Sequence, residues 1–584
     1  MKFSLLPASL KSIVNGSRSE SNLRYLARSI LLRKTQHSTF IILSVFLPQF
    51  MYLRLIHSWE VDAHHDGIMY TAAVGFFQGL VPNRDFFAQY GPGAPVLQGL
   101  AFKLLEPNVW SLKLATSFLL ALIGSLLFVG ARRKLDTISS FCLSYLWVLS
   151  GPFGLPWSSI FTTTILVSCL LLIEFGNRKP SYLKIIFISV GILLGLGIFI
   201  RVHILASIFL LNLLLLLFRK RLSTPFSLIY LNFGFMVSLS IVLILQVISR
   251  SLMPFINQCI IWASNNYVGA PVLSISLVFD LLWIPLFGFF LLLLGFLFLK
   301  IEVLSHKLRI SVLLFFASAF IFAVVLGNLE RTGEQTLRNP KILLITASQK
   351  AQFSFQYLAL IISIICFTFF LGKSLPLLLE IKKETKFSTF SVSYAAIGIS
   401  SLAQLYPFAD NYHIAFITPV LLLSSLFLLP NSVFKTRFQK SIILISATIL
   451  PMLIFKFYLS ANVDRKPFES HTLKGLHGSW NTSQSLDSTM RALELQVPGI
   501  DFKCADGLYA GAGGRYLALN EKFVTWGPTS DQDEASNKLF ICYASKELID
   551  SYKGLGWNVV FQIPWNPIDS SHKNLSWNVL LERL

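Results

Sequence analysis

Predominantly apolar stretches fall near 39–57, 112–131, 138–152, 158–175, 183–200, 204–218, 226–248, 273–299, 309–327, 354–372, 388–405, 414–430 and 440–458. A helix crossing a bilayer needs about twenty such residues, so the pattern predicts about thirteen transmembrane helices. Basic clusters separate alternate runs: Arg132-Arg133-Lys134, Arg178-Lys179, Arg219-Lys220-Arg221, Lys300 to Arg309, Lys382 to Lys386 and Lys435 to Arg437. Positive charge marks the cytoplasmic side, which places the N-terminus inside and the other connections outside. Those outer connections are 58–111, the turn 151–158, Arg201-Val202-His203, 249–272, 328–353, 406–413 and the tail from about 459.

The chain thus divides into a basic cytoplasmic segment 1–38, a membrane domain 39–458 whose first outer loop is 58–111, and an extracytoplasmic tail 459–584. In the tail the period changes. Lys538 to Tyr543, Lys546 to Tyr552 and Asn558 to Ile563 read as strand, helix and strand, hence a small α/β domain large enough to fold alone. Segment 1–38 carries Lys11, Arg18, Arg24, Arg28, Arg33 and Lys34 against Glu20 alone, compatible with a transit peptide and more simply with a membrane-hugging prelude to the first span.

Composition narrows the class. Of 584 residues 54% are hydrophobic and 13% charged, with 52 Phe, which excludes an ordinary soluble protein. The net charge of +20 would suit nucleic acid, but its distribution between apolar runs reports topology, and nucleic acid is excluded as a partner. Six cysteines are too scattered for a disulfide framework or zinc site; Cys504 and Cys542 share the tail and could pair if it meets an oxidising compartment and their separation allows it.

Ionisable residues near a bilayer are costly, so the first loop stands out. It reads Val61-Asp62-Ala63-His64-His65-Asp66-Gly67 and continues through Arg84-Asp85 to Gln89-Tyr90-Gly91-Pro92-Gly93. Asp62 is placed to cap a helix running to about Leu80, with Ile68, Ala72, Phe76 and Leu80 as an apolar stripe lying in the interface. Asp62 and Asp66 would then sit one turn apart.

A first-loop helix opening with acids, the run Gly79-x-x-Pro82-x-x-Asp85, about thirteen spans and an outer tail together resemble the GT-C glycosyltransferases, with a mannosyltransferase- or aminoarabinose-transferase-like layout. The resemblance is sharp over residues 60–100. It implies a polyprenyl-phosphate-linked sugar as donor, an extracytoplasmic glycan, lipid or protein acceptor, inversion at the anomeric carbon, and an essential carboxylate at Asp66 or Asp62. The turn 151–158 departs from the pattern, since many GT-C members carry a second acidic motif there and this one holds no acid.

The residues themselves suit the same chemistry. Asp66, then Asp62, is the expected base for an acceptor hydroxyl; the alternative is a helix cap. Arg84, Arg201, His203, His413 and Arg338 are expected around the departing phosphate, with Arg331 on the same face. His64, His65, Asp85, Gln89, Tyr90 and Asp410 complete the expected pocket, and His65 with Asp66 would also accept a divalent cation such as Mg or Mn. The loop 328–353, with Gly333 and Pro340, is the expected moving loop. Gly511-Ala512-Gly513-Gly514, Asp531-Gln532-Asp533 and Asp280 carry less, having bland readings as a turn, a solvated run and a cavity residue. Two rivals remain: a flippase or transporter for a lipid-linked sugar, and a non-catalytic subunit of a surface-glycan assembly machine. Membrane lipids are partners in every case, and the plasma (inner) membrane is the expected location.

Overall fold

The computed structural model describes residues 20–59, 61–62, 65–88, 90–151, 155–219, 226–261, 388–405, 411–429, 465–495, 500–503, 538–564 and 577–583, with isolated positions at 222–224, 355–370 and 439–457. The runs expected at 273–299 and 309–327, the loop 328–353, and the low-weight motifs at 280, 511–514 and 531–533 lie outside these residues, as does Cys504.

In chain order the helices are α1 Glu20–His57, α2 His65–Phe77, α3 Gly93–Phe102, α4 Val109–Ala131, α5 Thr137–Ser150, α6 Ser158–Arg178, α7 Leu183–Ile200, α8 Ile204–Leu217, α9 Ser227–Ile248, α10 Leu252–Ile256, α11 Thr389–Ser401 and α12 Asn411–Leu428. Among the described residues five stretches are long and apolar enough to cross a membrane: Thr39–His57, Val109–Ala131, Ser158–Arg178, Pro180–Ile200 and Ser227–Ile248. The last of these carries Phe233, Ile244 and Ile248 at 57 to 74% exposure, and the shorter helix Ile204–Leu217 carries Phe209 at 68%, a surface that water would not support and lipid does. The chain is an integral membrane protein.

The runs expected as spans at 138–152 and 204–218 form shorter helices, of 14 residues each. At about 1.5 Å per residue they reach about 21 Å, short of a hydrocarbon core of about 30 Å. Polar punctuation sets their ends: Asp136 accepts from Ser139 N at 2.7 Å to start α5, and the 201–203 connection precedes α8.

The largest core cluster joins α4 through α8 to α11 and α12, with Trp147, Leu170, Leu194, Leu211 and Phe416 buried within it. Close backbone approach packs α7 on α9, since a Cβ at Gly191 or Gly234 would lie 2.1 Å from a carbonyl oxygen of the other helix.

The expected interfacial position of α2 is corrected. Asp66, Gly67, Met69 and the whole run from Tyr70 to Gly75 are buried. Its Gly, Ala and Thr residues leave no charged face past the first turn, so both sides are covered. Met69, Tyr70, Ala73 and Val74 pack against Phe468, Leu473, Met490 and Phe540 of the tail, and Ala72 packs against Phe86 and Ala88.

The tail contains a hairpin of β1 Arg465–Pro467 and β2 His477–Ser479, then α13 Trp480–Glu494, β3 Ile500–Lys503, β4 Lys538–Ala544, α14 Lys546–Gly554, β5 Trp557–Pro564 and β6 Trp577–Arg583. The four-stranded sheet has the order β3-β4-β6-β5, with β3 parallel to β4 and the other pairs antiparallel. Two backbone bonds stitch the tail to the membrane helices: Val109 N donates to Thr472 O at 3.0 Å, and His477 N to Ser58 O at 2.7 Å. Part of its core is therefore shared with α2, α3 and α4.

Candidate active site

Helix α2 begins with a reciprocal cap. Asp62 O accepts from Asp66 N at 2.9 Å and Asp62 Oδ1 from His65 N at 2.8 Å, while Asp66 Oδ2 accepts from Asp62 N at 3.0 Å. The expected cap at Asp62 is thus present, and the two acids are coupled through it.

Their environments differ sharply. Asp66 is fully buried, with Lys113 Nζ 2.8 Å from Oδ2. Its Oδ1 is buried and has no hydrogen-bond partner. Burial pushes the Asp66 carboxyl above its ordinary range, against the pull of the Lys113 ammonium and the hydrogen bonds it accepts. Asp62 is 42% exposed and its Oδ2 lies 2.7 Å from His65 Nδ1. With Asp62 ionised, Nδ1 carries the proton of that bond.

Lys113 was not a sequence candidate, because it reads as the frayed start of a span. A lysine five residues into an apolar helix is nevertheless a signal. Beneath it, Ser117 Oγ donates to Lys113 O at 2.8 Å and stands 2.7 Å from His57 Nδ1, a buried polar seam between α1 and α4.

The other connections meet around Trp157, a second residue that sequence reasoning missed. Its ring centroid is 5.1 Å from His65, 5.6 Å from Tyr90 and 6.5 Å from His413. The turn before α6 is pinned where Gln98 Nε2 donates to Pro156 O at 2.7 Å. Arg201, fully buried, lies with its guanidinium carbon 5.1 Å from the Tyr90 ring centroid and donates to Ser159 Oγ. Gly91 makes this meeting feasible: its φ is +138°, and a Cβ there would lie 2.6 Å from Phe199 O. His203 stands at the start of α8 and makes no side-chain cap.

Arg84 is placed differently from the expected phosphate ligand. It grips Asp85 through Nε–Oδ1 at 2.8 Å and Nη2–Oδ2 at 2.7 Å, and Nη1 donates to Ser249 O at 3.2 Å. That ion pair holds the Asp85 carboxyl below the usual carboxylate range. The pair belongs to a clamp between the first loop and the segment 249–261 of the same chain. Asn83, at φ +66°, donates to Gln258 Oε1 at 2.7 Å; Ala88 N donates to the same oxygen at 3.1 Å, and Gln258 Nε2 returns to Asn83 O at 2.8 Å. Gln258 sits on a π-helical turn, Asn257–Ile261, which places it against the loop. His64, Gln89, Arg331, Arg338 and Asp410 lie outside the described residues.

Among the described residues no three His, Cys, Asp or Glu side chains converge, and the Lys113 ammonium occupies the Oδ2 side of Asp66.

An apolar cavity of about 420 Å³ opens beside Trp157, lined also by Phe50, Leu97, Gln98, Leu112, Phe118 and Phe161. It lies between α1, α3, α4 and α6, with Trp157 and Leu112 bringing it next to the acid and imidazole groups.

No family model and no curated protein matches the sequence. Among solved structures the chain is similar to ArnT from Cupriavidus metallidurans bound to undecaprenyl phosphate, at 11% identity over 94% of this chain and 98% of that one, with a TM-score of 0.45. It is also similar to the Archaeoglobus fulgidus oligosaccharyltransferase in complex with Zn and sulfate, at 12% identity over 81% of this chain and 55% of that one, with a TM-score of 0.40.

Proposed function

We propose that this protein is a membrane glycosyltransferase of GT-C type that moves a sugar from a polyprenyl-phosphate donor to the hydroxyl of a glycan, lipid or protein acceptor. The observation that carries the reading is Asp66: a buried carboxylate held on one oxygen by Lys113, with its other oxygen unpartnered, at the convergence of the first loop with the ends of α4, α6 and α7. A structural ion pair satisfies its acceptors; this one leaves an acceptor open where a hydroxyl would donate.

In the proposed step the acceptor oxygen bonds to the anomeric carbon as the carbon–oxygen bond to phosphate breaks. The hydroxyl proton passes to Asp66 Oδ1, the phosphate departs with the bonding electron pair, and the anomeric carbon inverts. A positioned base contributes about 10² to 10⁴ in rate, and burial, by raising the Asp66 pKa, makes its carboxylate a stronger base than an exposed one. Arg201 and His413 supply positive or donor groups, and the apolar cavity beside Trp157 suits the first isoprene units of the carrier.

We infer that this end faces away from the cytoplasm, because Arg132, Arg133 and Arg178 lie at the opposite ends of α4 and α6. The N-terminus would then be cytoplasmic and the tail extracytoplasmic, in a multi-pass plasma (inner) membrane protein. Concentration of the polar groups at one end, rather than at the midplane, disfavours the transporter reading.

One observation favours a second assignment within the same reaction. Asp66 is wholly covered, whereas the Asp62–His65 pair is partly exposed, so His65 oriented by Asp62 would take the proton and Asp66 would only pin α2 to α4.

The test compares lipid-linked sugars and surface glycans by mass spectrometry in cells with wild type, a deletion, Asp66→Asn or Asp62→Asn at matched membrane levels. Loss of one glycan residue with accumulation of its sugar-lipid in both the deletion and Asp66→Asn is the expected result. The same loss in Asp62→Asn with activity retained in Asp66→Asn selects the second assignment. Wild-type glycans in both variants, with a defect in the deletion, overturn the transferase reading.

A further inference from the structure

The ends of α4 and α6 remote from the candidate active site carry a second polar cluster. Residues 132–136 and 174–184 hold six cations, Arg132, Arg133, Lys134, Arg178, Lys179 and Lys184, against two acids, Asp136 and Glu174. Both acids are already engaged. Asp136 caps α5 by accepting from Ser139 N at 2.7 Å and Ser139 Oγ at 3.0 Å. Glu174 is buried, and accepts from Tyr394 Oη at 2.7 Å, Arg178 Nε at 2.8 Å and Asn177 Nδ2 at 3.3 Å. Arg178 is fixed by that bond, and its Nη2 donates to Arg133 O at 3.2 Å, which ties the two helix ends together. Arg132, Arg133 and Lys179 form no ion pair among the described residues, and all three reach the surface. Partial burial, and then the like charges of Arg178 and Arg132, hold the Arg133 guanidinium below its ordinary range, with Glu174 pulling the other way. Like charges gathered at one point are relieved by an anion, and the two acids close by are already bonded.

We propose that Arg132, Arg133 and Lys179 bind the headgroup phosphate of an anionic phospholipid in the leaflet opposite the candidate active site. Guanidinium and ammonium groups only donate and phosphate oxygens accept, so the cluster matches the ligand in charge and in hydrogen bonding. Preference for a lipid over a free anion comes from the flanking surface. Phe175, Tyr182 and Ile185 are exposed beside Arg178 and Lys179, with the Tyr182 ring centroid 5.9 Å from that of Phe175, and Ile138 and Phe141 are exposed at the start of α5. Tyrosine with exposed apolar neighbours marks the level where headgroups meet acyl chains. A phosphate held here therefore has apolar surface beside it for the chains, which an inorganic anion would not use. Retention of positive charge accounts for the side of the membrane on which the cations lie. It does not account for their arrival at one place from two helices, with Glu174 turned into the bundle and consumed there. The site is separate from the transfer reaction, and neither depends on the other.

The test titrates the full chain in detergent with phosphatidylglycerol, phosphatidylcholine or inorganic phosphate and counts bound ligand by native mass spectrometry. Wild type is expected to bind phosphatidylglycerol more tightly than phosphatidylcholine. A cation beside an anionic headgroup is worth about fivefold in affinity, so Arg132→Gln with Arg133→Gln should weaken phosphatidylglycerol about thirtyfold and Lys179→Gln about fivefold. Phosphatidylcholine binding should change little in either. A control, Lys546→Gln with Lys553→Gln, removes the same charge from α14 of the tail and should leave both lipids as in wild type. Melting temperatures in phosphatidylcholine should agree among all of these, because none of the three proposed ligands makes an ion pair; if the arginine pair melts early, Lys179→Gln on the other helix carries the comparison. Equal affinity of wild type for the two lipids, or unchanged phosphatidylglycerol affinity in the folded variants, overturns the site. An equal loss in the tail control reduces the effect to net charge and overturns it as well. Inorganic phosphate that displaces phosphatidylglycerol at equal concentration overturns the lipid as the ligand.

Discussion

Lys113 Nζ lies 2.8 Å from Asp66 Oδ2, and both side chains are closed off from solvent. A buried pair of this kind contributes little net stability over apolar replacements, yet removing one partner strands the other charge. Lys113→Met should therefore lower stability by about 3–5 kcal/mol. Adding Asp66→Leu to it should restore much of that loss without restoring glycan transfer. Thermal unfolding in detergent checks the first statement, and the cellular glycan assay the second. A double variant as unstable as the single one would show that the two side chains are not coupled.

The direction of the Asp66 shift fixes two pH dependences. Burial raises its folded-state pKa, and the charged groups beside it are Lys113 and Asp62. As a base Asp66 works only when ionised, so transfer should rise with pH along a limb above the ordinary carboxylate range of about 4. Lys113→Met removes the cation that holds the pKa down, so any residual activity should show the limb moved to higher pH. Stability has the opposite sign. A raised folded pKa gives stability fully present below the unfolded pKa and lost as pH rises through the folded one. Wild type should therefore lose melting temperature relative to Asp66→Asn as pH rises from about 4 through that limb. A constant difference between them would refute the assigned direction.

The first loop was legible because its residues are expensive where they stand. Asp62 reads as a cap from its position before an apolar run, and the structure shows that cap. The strand, helix and strand at Lys538–Ala544, Lys546–Gly554 and Trp557–Pro564 were legible from the change of period. Lys113 and Trp157 were not, for a physical reason. Their significance lies in contacts between segments far apart in sequence, and taken alone each has an ordinary meaning: a lysine at a span boundary snorkels, and a tryptophan there anchors the interface. Arg84 failed in the other direction. Its neighbour Asp85 already satisfies it, and a carboxylate next in sequence to an arginine is a sign that the cation is spoken for. The burial of α2 on both faces depended on the tail, which no local pattern reports.

Gly91 carries a sharp backbone requirement. Its φ of +138° is open to glycine and disfavoured for other residues, and an added Cβ would meet Phe199 O at 2.6 Å and Ile200 O at 2.9 Å. Gly91→Ala should cost about 1–3 kcal/mol and displace Tyr90 from beneath Arg201. The expected readouts are a lower melting temperature and weaker polyprenyl phosphate binding together. An unchanged melting temperature would mean that the loop relaxes without using this contact.

Gln258 is the last element whose role can be isolated, because it touches the first loop and none of the proposed reacting groups. Its side-chain amide holds Asn83 and Ala88 through three hydrogen bonds of 2.7 to 3.1 Å. Gln258→Leu keeps similar bulk and removes the partner of Ala88 N and Asn83 O, while Asn83 Nδ2 keeps its bond to Ala88 O at 3.0 Å, at a cost of about 1–3 kcal/mol for each group left unmet and buried. The loop would relieve the cost by leaving the π-helical turn, and Arg84, which is 41% exposed in its side chain, would move with it. Trypsin should then cleave after Arg84 faster in Gln258→Leu than in wild type at a temperature where both remain folded. Transfer should fall mainly through the turnover number, since the lipid cavity beside Trp157 is built from other segments. Equal cleavage rates would show that residues 83–88 are held by their own packing, with Phe86 in its pocket, and that the Gln258 contact is incidental.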